Sequence, residues 1–329
     1  MGKAKSGYYI GFDLGGTKMR ALVVDEEFRI VASAKRKAVA GVDTAAEGLD
    51  RMRACVDEAL EEATVSPKDL RGIGFGLPGA LDLKQGVILR LFNVGWENVP
   101  VKKKFETIYG APVAIDNDVN AGAYGEYRFG AGRGHPYMVG IFVGTGIGGG
   151  LIIDGKIHQG VGGAVGEIGH LLYDRLGPRC GCGARGCYET YASRLAVASQ
   201  AAVQAYLGKA PALAKKAGYD VEKYRSGTLA WAIENGDAAV EEIVRESARI
   251  VGHLACDLAL VLCPSMIVLG GGMVEAMPKI YLEECKAALK AHPVIATMKG
   301  VAVSAVKLGD DAVPLGAAAI AADKVRNEK

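Results

Sequence analysis

Residues 8–18 read YYIGFDLGGTK and residues 137–150 read YMVGIFVGTGIGGG, so each half of the chain opens with an apolar strand running into a glycine turn that carries a threonine. The first turn holds Asp13, Gly15, Gly16, Thr17 and Lys18, and the second holds Gly144, Thr145 and Gly146. Successive glycines leave backbone N–H groups free to converge on an anion and the threonine adds a hydroxyl, which is the chemistry of a phosphate cradle. A tight hairpin needing positive φ produces the same letters, so one such turn decides little. A third run, LGGGM at 269–273 with Gly270, Gly271 and Gly272, closes another buried strand. Three glycine loops at strand ends favour phosphate. The spacing excludes a P-loop, since GKS and GKT are absent, and a Rossmann fingerprint, since no acidic residue stands where one is needed. Two hairpins facing each other across a cleft fit better.

Outward from these loops, residues 8–39 read as a three-stranded meander and 45–63 as an amphipathic helix capped by Thr44, with Leu49, Met52, Val56 and Leu60 at spacings of three and four. A strand in RGIGFGLPG follows, then a strand at 112–118 ending in acids and a helix in VNAGAYGEYRFG. The second half gives strands at 137–145 and 149–155, a long helix around 189–206, a looser segment to about 227 and a helix near 238–262. SMIVLGGGM, a helix at about 277–291, a strand VAVSAV and an Ala-rich helix after Pro314 complete the chain.

At 329 residues and 50% hydrophobic, the chain exceeds what one hydrophobic core supports, so two domains are expected. Its 39 basic and 37 acidic residues are well mixed, leaving no electrostatic footprint for nucleic acid, and Lys102–Lys104 read as a solvated helix start. No apolar run resembles a signal peptide or approaches the roughly 20 residues of a membrane span, which predicts a cytoplasmic protein with no membrane partner. Seven cysteines there argue against disulfides, and Cys55, Cys256, Cys263 and Cys285 read as buried thiols in apolar helices.

Residues 166–189, GEIGHLLYDRLGPRCGCGARGCYE, concentrate His170, Cys180, Cys182 and Cys187, a closed set of one imidazole and three thiolates suited to a structural, tetrahedral zinc. Gly181, Gly183 and Gly186 between them let a short knuckle turn back on the metal. Glu167 and Glu189 flank the set.

Together these motifs resemble the ROK sugar kinases and repressors, within the actin-like, ribonuclease H-like ATPase superfamily. DLGGTK resembles the first phosphate motif, GTGIGGG the second, LGGGM the adenosine motif, and GEIGH with CGCGARGCYE the zinc and sugar motif. The resemblance covers nearly the whole chain and is closest to bacterial ROK glucokinases. It implies an α/β fold of two domains around an ATP and sugar cleft: residues 1–118, joined by the C-terminal helix at about 313–329, and a larger domain at 119–312 with the zinc motif and nucleotide loops.

The acids at 116–118 sit where a strand gives way to a helix, so Asp118 is either an N-cap or a carboxylate aimed into the cleft, its ionised form favoured by the helix N-terminus. The resemblance implies the second: Asp118 accepts the hydroxyl proton during phosphoryl transfer, Asn117 holds a neighbouring hydroxyl, and Asp116 is structural. Asp13 in the first turn suits hydrated Mg2+ beside the phosphates, or caps the turn. Thr17 and Thr145 bind phosphate by the same reasoning, while Lys18 either neutralises it or faces solvent. Glu167, His170 and Glu189 are implied as sugar ligands, with Gly79 in GLPGALD allowing close backbone approach. NVGW at 93–96 resembles a neighbouring substrate loop, in which Trp96 packs or stacks. Family members usually have Ser-Gly where this chain has Ser193-Arg194. The expected activity is an ATP-dependent hexose kinase, a glucokinase acting on the 6-hydroxyl, with ATP, Mg2+ and structural Zn2+, assembled as a homodimer or dimer of dimers. The alternatives are a kinase for N-acetylglucosamine, N-acetylmannosamine, fructose or allose, and a sugar-responsive repressor. The repressor is disfavoured because only seven residues precede the first strand.

Overall fold

The computed structural model describes residues 7–16, 18–38, 44–91, 94–161, 163, 165–298 and 300–327. In chain order the first half comprises β1 (Tyr8–Leu14), β2 (Lys18–Val24), β3 (Ile30–Lys37), α1 (Ala45–Ala63), β4 (Leu70–Leu77), β5 (Ala80–Asp82), β6 (Val87–Leu91), β7 (Trp96–Val99), α2 (Val101–Tyr109), β8 (Val113–Asn117) and α3 (Asp118–Phe129). The second comprises β9 (Met138–Val143), β10 (Ile147–Ile153), β11 (Lys156–Ile157), α4 (Glu189–Ala192), α5 (Arg194–Tyr206), α6 (Pro211–Ala217), α7 (Ser226–Glu234), α8 (Ala238–Leu262), β12 (Met266–Gly270), α9 (Gly272–Ala276), α10 (Pro278–Ala291), β13 (Ala302–Ala305) and α11 (Ala312–Asn327).

Two five-stranded sheets share one topology. The first runs β3-β2-β1-β4-β8 and the second β11-β10-β9-β12-β13. In each, a hairpin pairs antiparallel through its first strand, and that strand continues into two parallel neighbours. The duplicated opening seen in the sequence is therefore a duplicated sheet, which is the actin-like ATPase arrangement. β5, β6 and β7 form a separate small antiparallel sheet that the sequence did not announce.

The first sheet packs α1 and α2 against one apolar face, with Phe12, Phe75 and Phe105 fully buried together. The second buries Val139, Ile141, Ile267 and Leu269 against α5, α8 and α10. Thr44 caps α1 as expected, its side chain accepting from Glu47 N–H. Between the sheets, α11 lies on β1 and β4 and crosses α3 at backbone contact. A methyl on Gly11 would lie 1.7 Å from the Pro314 carbonyl oxygen, one on Gly74 1.8 Å from that of Ala317, and one on Gly316 1.8 Å from that of Ala121. Several of the abundant glycines thus admit a helix against a sheet and against another helix. That contact orients α3, and with it residues 117–118, relative to the first sheet.

Three expectations need correction. The helix foreseen at 189–206 is two helices, because Ser193 is extended (φ −69°, ψ 161°) and buried, and its hydroxyl caps α5 by accepting from Ala196 N–H. The segment to 227 is not loose, since it contains α6 and the start of α7. Cys55, Cys256 and Cys285 are buried, but Cys263 is exposed: it occupies the left-handed position (φ 44°) that ends α8, where the chain turns out toward solvent. Among the described residues no helix is long and apolar enough to cross a membrane.

Candidate active site

The strand-to-helix junction at β8 and α3 builds the centre of the cleft. Asn117, not Asp118, is the N-cap: its carbonyl oxygen accepts from Val119 N–H at 2.9 Å and Asn120 N–H at 3.4 Å. This frees Asp118, the first residue of α3, from capping, and its Oδ1 accepts from Val119 N–H at 2.9 Å. Asp116 is 1% exposed and clamped, with Oδ1 accepting from Asn117 N–H and the Asn120 amide, and Oδ2 from the Gln159 amide at 2.6 Å. A carboxylate so enclosed holds the junction rigid.

Electrostatics separate the acids further. The helix N-terminus was expected to favour ionised Asp118, but burial wins and raises its pKa, against the lowering effect of Val119 N–H and the Asn117 amide. Asp13, at the end of β1, is pushed up to about 7 by burial, then by Asp118 and Asp310, with Arg20 pulling it down. Asp310 stands near it on the turn before α11, held by Lys35 at 3.0 Å, and the next residue, Asp311, pairs with Arg20 at 2.5 Å. Nothing in residue order points to Asp310, which comes near Asp13 only because α11 folds back on the first sheet. Asp13 and Asp118, two neighbouring carboxyls of raised pKa, form a natural seat for a divalent cation, whose charge would return them to the ionised form.

Of the first glycine loop, Gly15 and Gly16 approach nothing that forces glycine except the Lys18 carbonyl, 2.9 Å from a methyl on Gly15. Lys18 is an exposed strand residue opposite Lys37, and Thr17 lies outside the described residues, as does Asn93. Trp96 packs, its ring lying where a side chain on Gly48 would go. The second and third loops meet: Gly271 has φ +83°, and a methyl there would strike the backbone of Val143 at 2.6 Å. Gly270 is packed under Phe142 and Val306, Gly272 opens α9, and Gly144 is open.

The zinc motif abuts the second loop. Glu189 Oε2 accepts from Ile147 N–H at 2.9 Å and lies 2.2 Å from where a methyl on Gly146 would be. His170 Nδ1 stands 3.5 Å from Cys180 Sγ, Cys182 and Cys187 sulfurs are 3.8 Å apart, and all four donor atoms lie within 4.8 Å of one another. Ligands on a tetrahedral zinc stand about 3.8 Å apart sulfur to sulfur and about 3.5 Å sulfur to nitrogen, so the donor set fits that ion. Burial and the neighbouring Cys180 and Cys182 push the Cys187 thiol up to about 12, a cost that coordination as thiolate removes. The knuckle needs glycine at Gly183 (φ +95°) and Gly186 (φ +70°), where a methyl would lie 1.6 Å from the Asp174 carbonyl oxygen; Gly181 is open and carries no such demand. The other nitrogen of His170 faces Glu167 at 3.7 Å, and Glu167 is 72% exposed.

Between the sheets a cavity of about 410 Å3 is lined by Gly79, Leu81, Asn117, Gly148, Gly149 and Glu167, among others. Gly79 (φ +88°) must be glycine, since a methyl there would lie 2.4 Å from the Arg90 carbonyl oxygen. Its size and mixed polar lining suit one small polar molecule. Arg194 was the departure noted in the sequence. Its N–H donates to the Gly144 carbonyl and its guanidinium to Thr145 Oγ1 at 3.1 Å, which puts it on the second loop.

Comparison with known proteins gives a consistent result. The ROK family model matches residues 9–324. A glucokinase of Streptomyces coelicolor is 33% identical over 318 residues, covering 96% of this chain and 98% of that protein. The xylose repressor of Bacillus subtilis is 36% identical over 193 residues, 59% of this chain and 50% of the repressor. Among solved structures, a ROK family glucokinase from Streptomyces griseus in complex with glucose and AMPPNP superposes with a TM-score of 0.81 at 35% identity, over 96% of this chain and all of that one.

Proposed function

Since the chain belongs to the ROK family, we propose that it is an ATP-dependent sugar kinase, and specifically a glucokinase that transfers the γ-phosphoryl group of ATP to the 6-hydroxyl of glucose. The observation that carries this reading is Asp118: released from capping by Asn117, it stands at the head of α3 within charge-coupling range of Asp13, beside the cavity that Asn117 and Glu167 line. The cleft around it divides the work. Glu167 and Asn117 offer hydrogen bonds to sugar hydroxyls at the cavity, with His170 and Glu189 behind them and Gly79 allowing the backbone close. Asp118 accepts the proton from the attacking hydroxyl; it must be ionised to do so. Gly15, Gly16, Thr17 and Lys18 of the first loop, Gly144, Thr145 and Gly146 of the second, and Gly270, Gly271 and Gly272 of the third receive the nucleotide. Mg2+, which Asp13 would hold, offsets charge on the phosphates. His170, Cys180, Cys182 and Cys187 would hold zinc, which would take no catalytic part and would fix the peptide that carries Glu167 and Glu189. The Glu189 bond to Ile147 N–H then ties the sugar side to the phosphate side.

We place the division between two domains at residues 118 and 119, with α11 returning to the first. The enzyme is proposed to work in the cytoplasm as a homodimer or dimer of dimers. A panel of hexoses with MgATP tests the reading: glucose should give the highest kcat/KM. Preference for N-acetylglucosamine, N-acetylmannosamine, fructose or allose would move the assignment to another ROK kinase. The similarity to the xylose repressor supports a second reading as a sugar-responsive repressor, for which sugar would bind with no turnover of ATP.

A further inference from the structure

Arg194 has a neighbour that the sequence does not suggest. Arg225, thirty-one positions along and just ahead of α7, lies near enough for the two positive charges to repel, and this repulsion, after burial, lowers the pKa of Arg194. Like-charged guanidiniums are brought together at a cost, and one other pair of arginines in this half, Arg245 and Arg249, offsets it with carboxylates. Arg245 is braced by Glu241, Glu283 and Glu284, and Arg249 by Glu242, Glu246 and Glu284. Arg194 and Arg225 have no such bracing. Among the described residues, Arg194 bonds Thr145 Oγ1 at 3.1 Å and Arg225 the Glu222 carbonyl at 3.2 Å, and neither meets a carboxylate.

Their placement is as informative as their charge. Arg194 is seated on the second glycine loop by its side chain and by its N–H, which donates to Gly144 at 2.9 Å. The residue after Arg225, Ser226, comes within 3.2 Å of where a methyl on Gly272 would be, so Arg225 begins the helix that abuts the third loop. Those two loops touch at Gly271 and Val143. Arg194 on the second loop and Arg225 at the head of the helix beside the third therefore carry unbraced guanidiniums close to where the two glycine loops meet.

We propose that Arg194 and Arg225 form a cationic clamp on the phosphate chain of the nucleotide, a deepening that rests on the kinase reading for its ligand. A guanidinium presents planar, paired donors that match phosphate oxygens, and it keeps its charge even when partly buried. Arg194 has a second task in the clamp, since its bond to Thr145 orients the hydroxyl that the same phosphates meet. The bound polyanion supplies the negative charge that the protein withholds from this pair.

The test measures ADP affinity by calorimetry and KM for MgATP in Arg194→Ala, Arg225→Ala, Arg194→Lys and Arg194→Gln, with melting temperature as the folding control. Each alanine variant should weaken ADP and raise the KM for ATP by about tenfold or more, the loss expected for one charged hydrogen bond. KM for the sugar should move less than about twofold on the same scale. Arg194→Lys should retain part of the affinity, while Arg194→Gln, which can still bond Thr145, should lose it as alanine does. Folded alanine variants with wild-type ADP affinity would overturn the clamp, and so would glutamine matching arginine, because Arg194 would then act only through Thr145. The kinase reading fails separately, if wild-type protein binds ADP yet phosphorylates no hexose.

Discussion

Replacing Asp118 by Asn removes one negative charge and one proton acceptor and leaves the fold little to repair. The junction's cap belongs to Asn117, and an asparagine at 118 still offers a carbonyl oxygen to Val119 N–H. Thermal stability should therefore stay within the small range usual for a substitution that keeps its hydrogen bond. Turnover should not: a positioned general base contributes about 10^2 to 10^4 in rate, so kcat should fall by that factor, about 3 to 5 kcal/mol of barrier, with KM for sugar nearly unchanged. The structure adds a second readout. Asp118 is the largest charge holding up the pKa of Asp13, about 7 against an ordinary 3.8. In Mg2+-free wild-type protein, a raised carboxyl pKa means the folded state holds a proton that the unfolded state releases. Its contribution to stability is full below about pH 4 and is lost as pH rises through about 7. The Asn variant should flatten that decline, because Asp13 loses a like charge. Coupled-assay kinetics and melting curves across pH 4 to 8 measure both effects. Turnover within about tenfold of wild type would remove Asp118 from the proton-acceptor role, since that is well short of a general base's contribution.

Elemental analysis should find about one zinc per chain, and removing it with a chelator should lower stability before activity is assayed. Gly186→Ala should release the metal and lower the melting temperature, since it adds a left-handed cost of about 1 to 2 kcal/mol to a collision with the Asp174 carbonyl; retained zinc would show that the knuckle can shift. Gly74→Ala, far from the ligands, should destabilise by at least the roughly 1 to 3 kcal/mol of overpacking, because the methyl meets Ala317 backbone. A wild-type melting temperature would refute the tight seating of α11. Because wild-type turnover requires ionised Asp118, kcat should fall as pH drops through its raised pKa, and a flat profile down to pH 4 would contradict the burial that raises it.

Much of this was legible in residue order because the relevant chemistry is local. DLGGTK and GTGIGGG lie at the ends of strands whose alternation is plain, and four metal donors fall within eighteen positions, so neither depends on how distant segments meet. The acids at 116–118 were legible as a strand-to-helix junction, with Asp118 either the N-cap or a carboxylate aimed into the cleft. That Asn117 takes the cap was not read, since either side chain can cap; it was decided by where the helix starts, and that start is oriented by α11 crossing α3. The break at Ser193 escaped because an Ala-rich pattern runs through it, and only burial of the serine at the second loop shows why the helix must restart there.

The sequence by itself determined the repeated sheet openings, the donor set for zinc and the carboxylates from which a base could be drawn, since each follows from residue type at short spacing. The tertiary structure alone decided what lies beside them: Asp310 near Asp13, Glu189 on Ile147, and Arg194 on Thr145 of the second loop. Charges act through space over several ångströms, and residues far apart in the chain share that space only after the sheets, α3 and α11 have closed on one another.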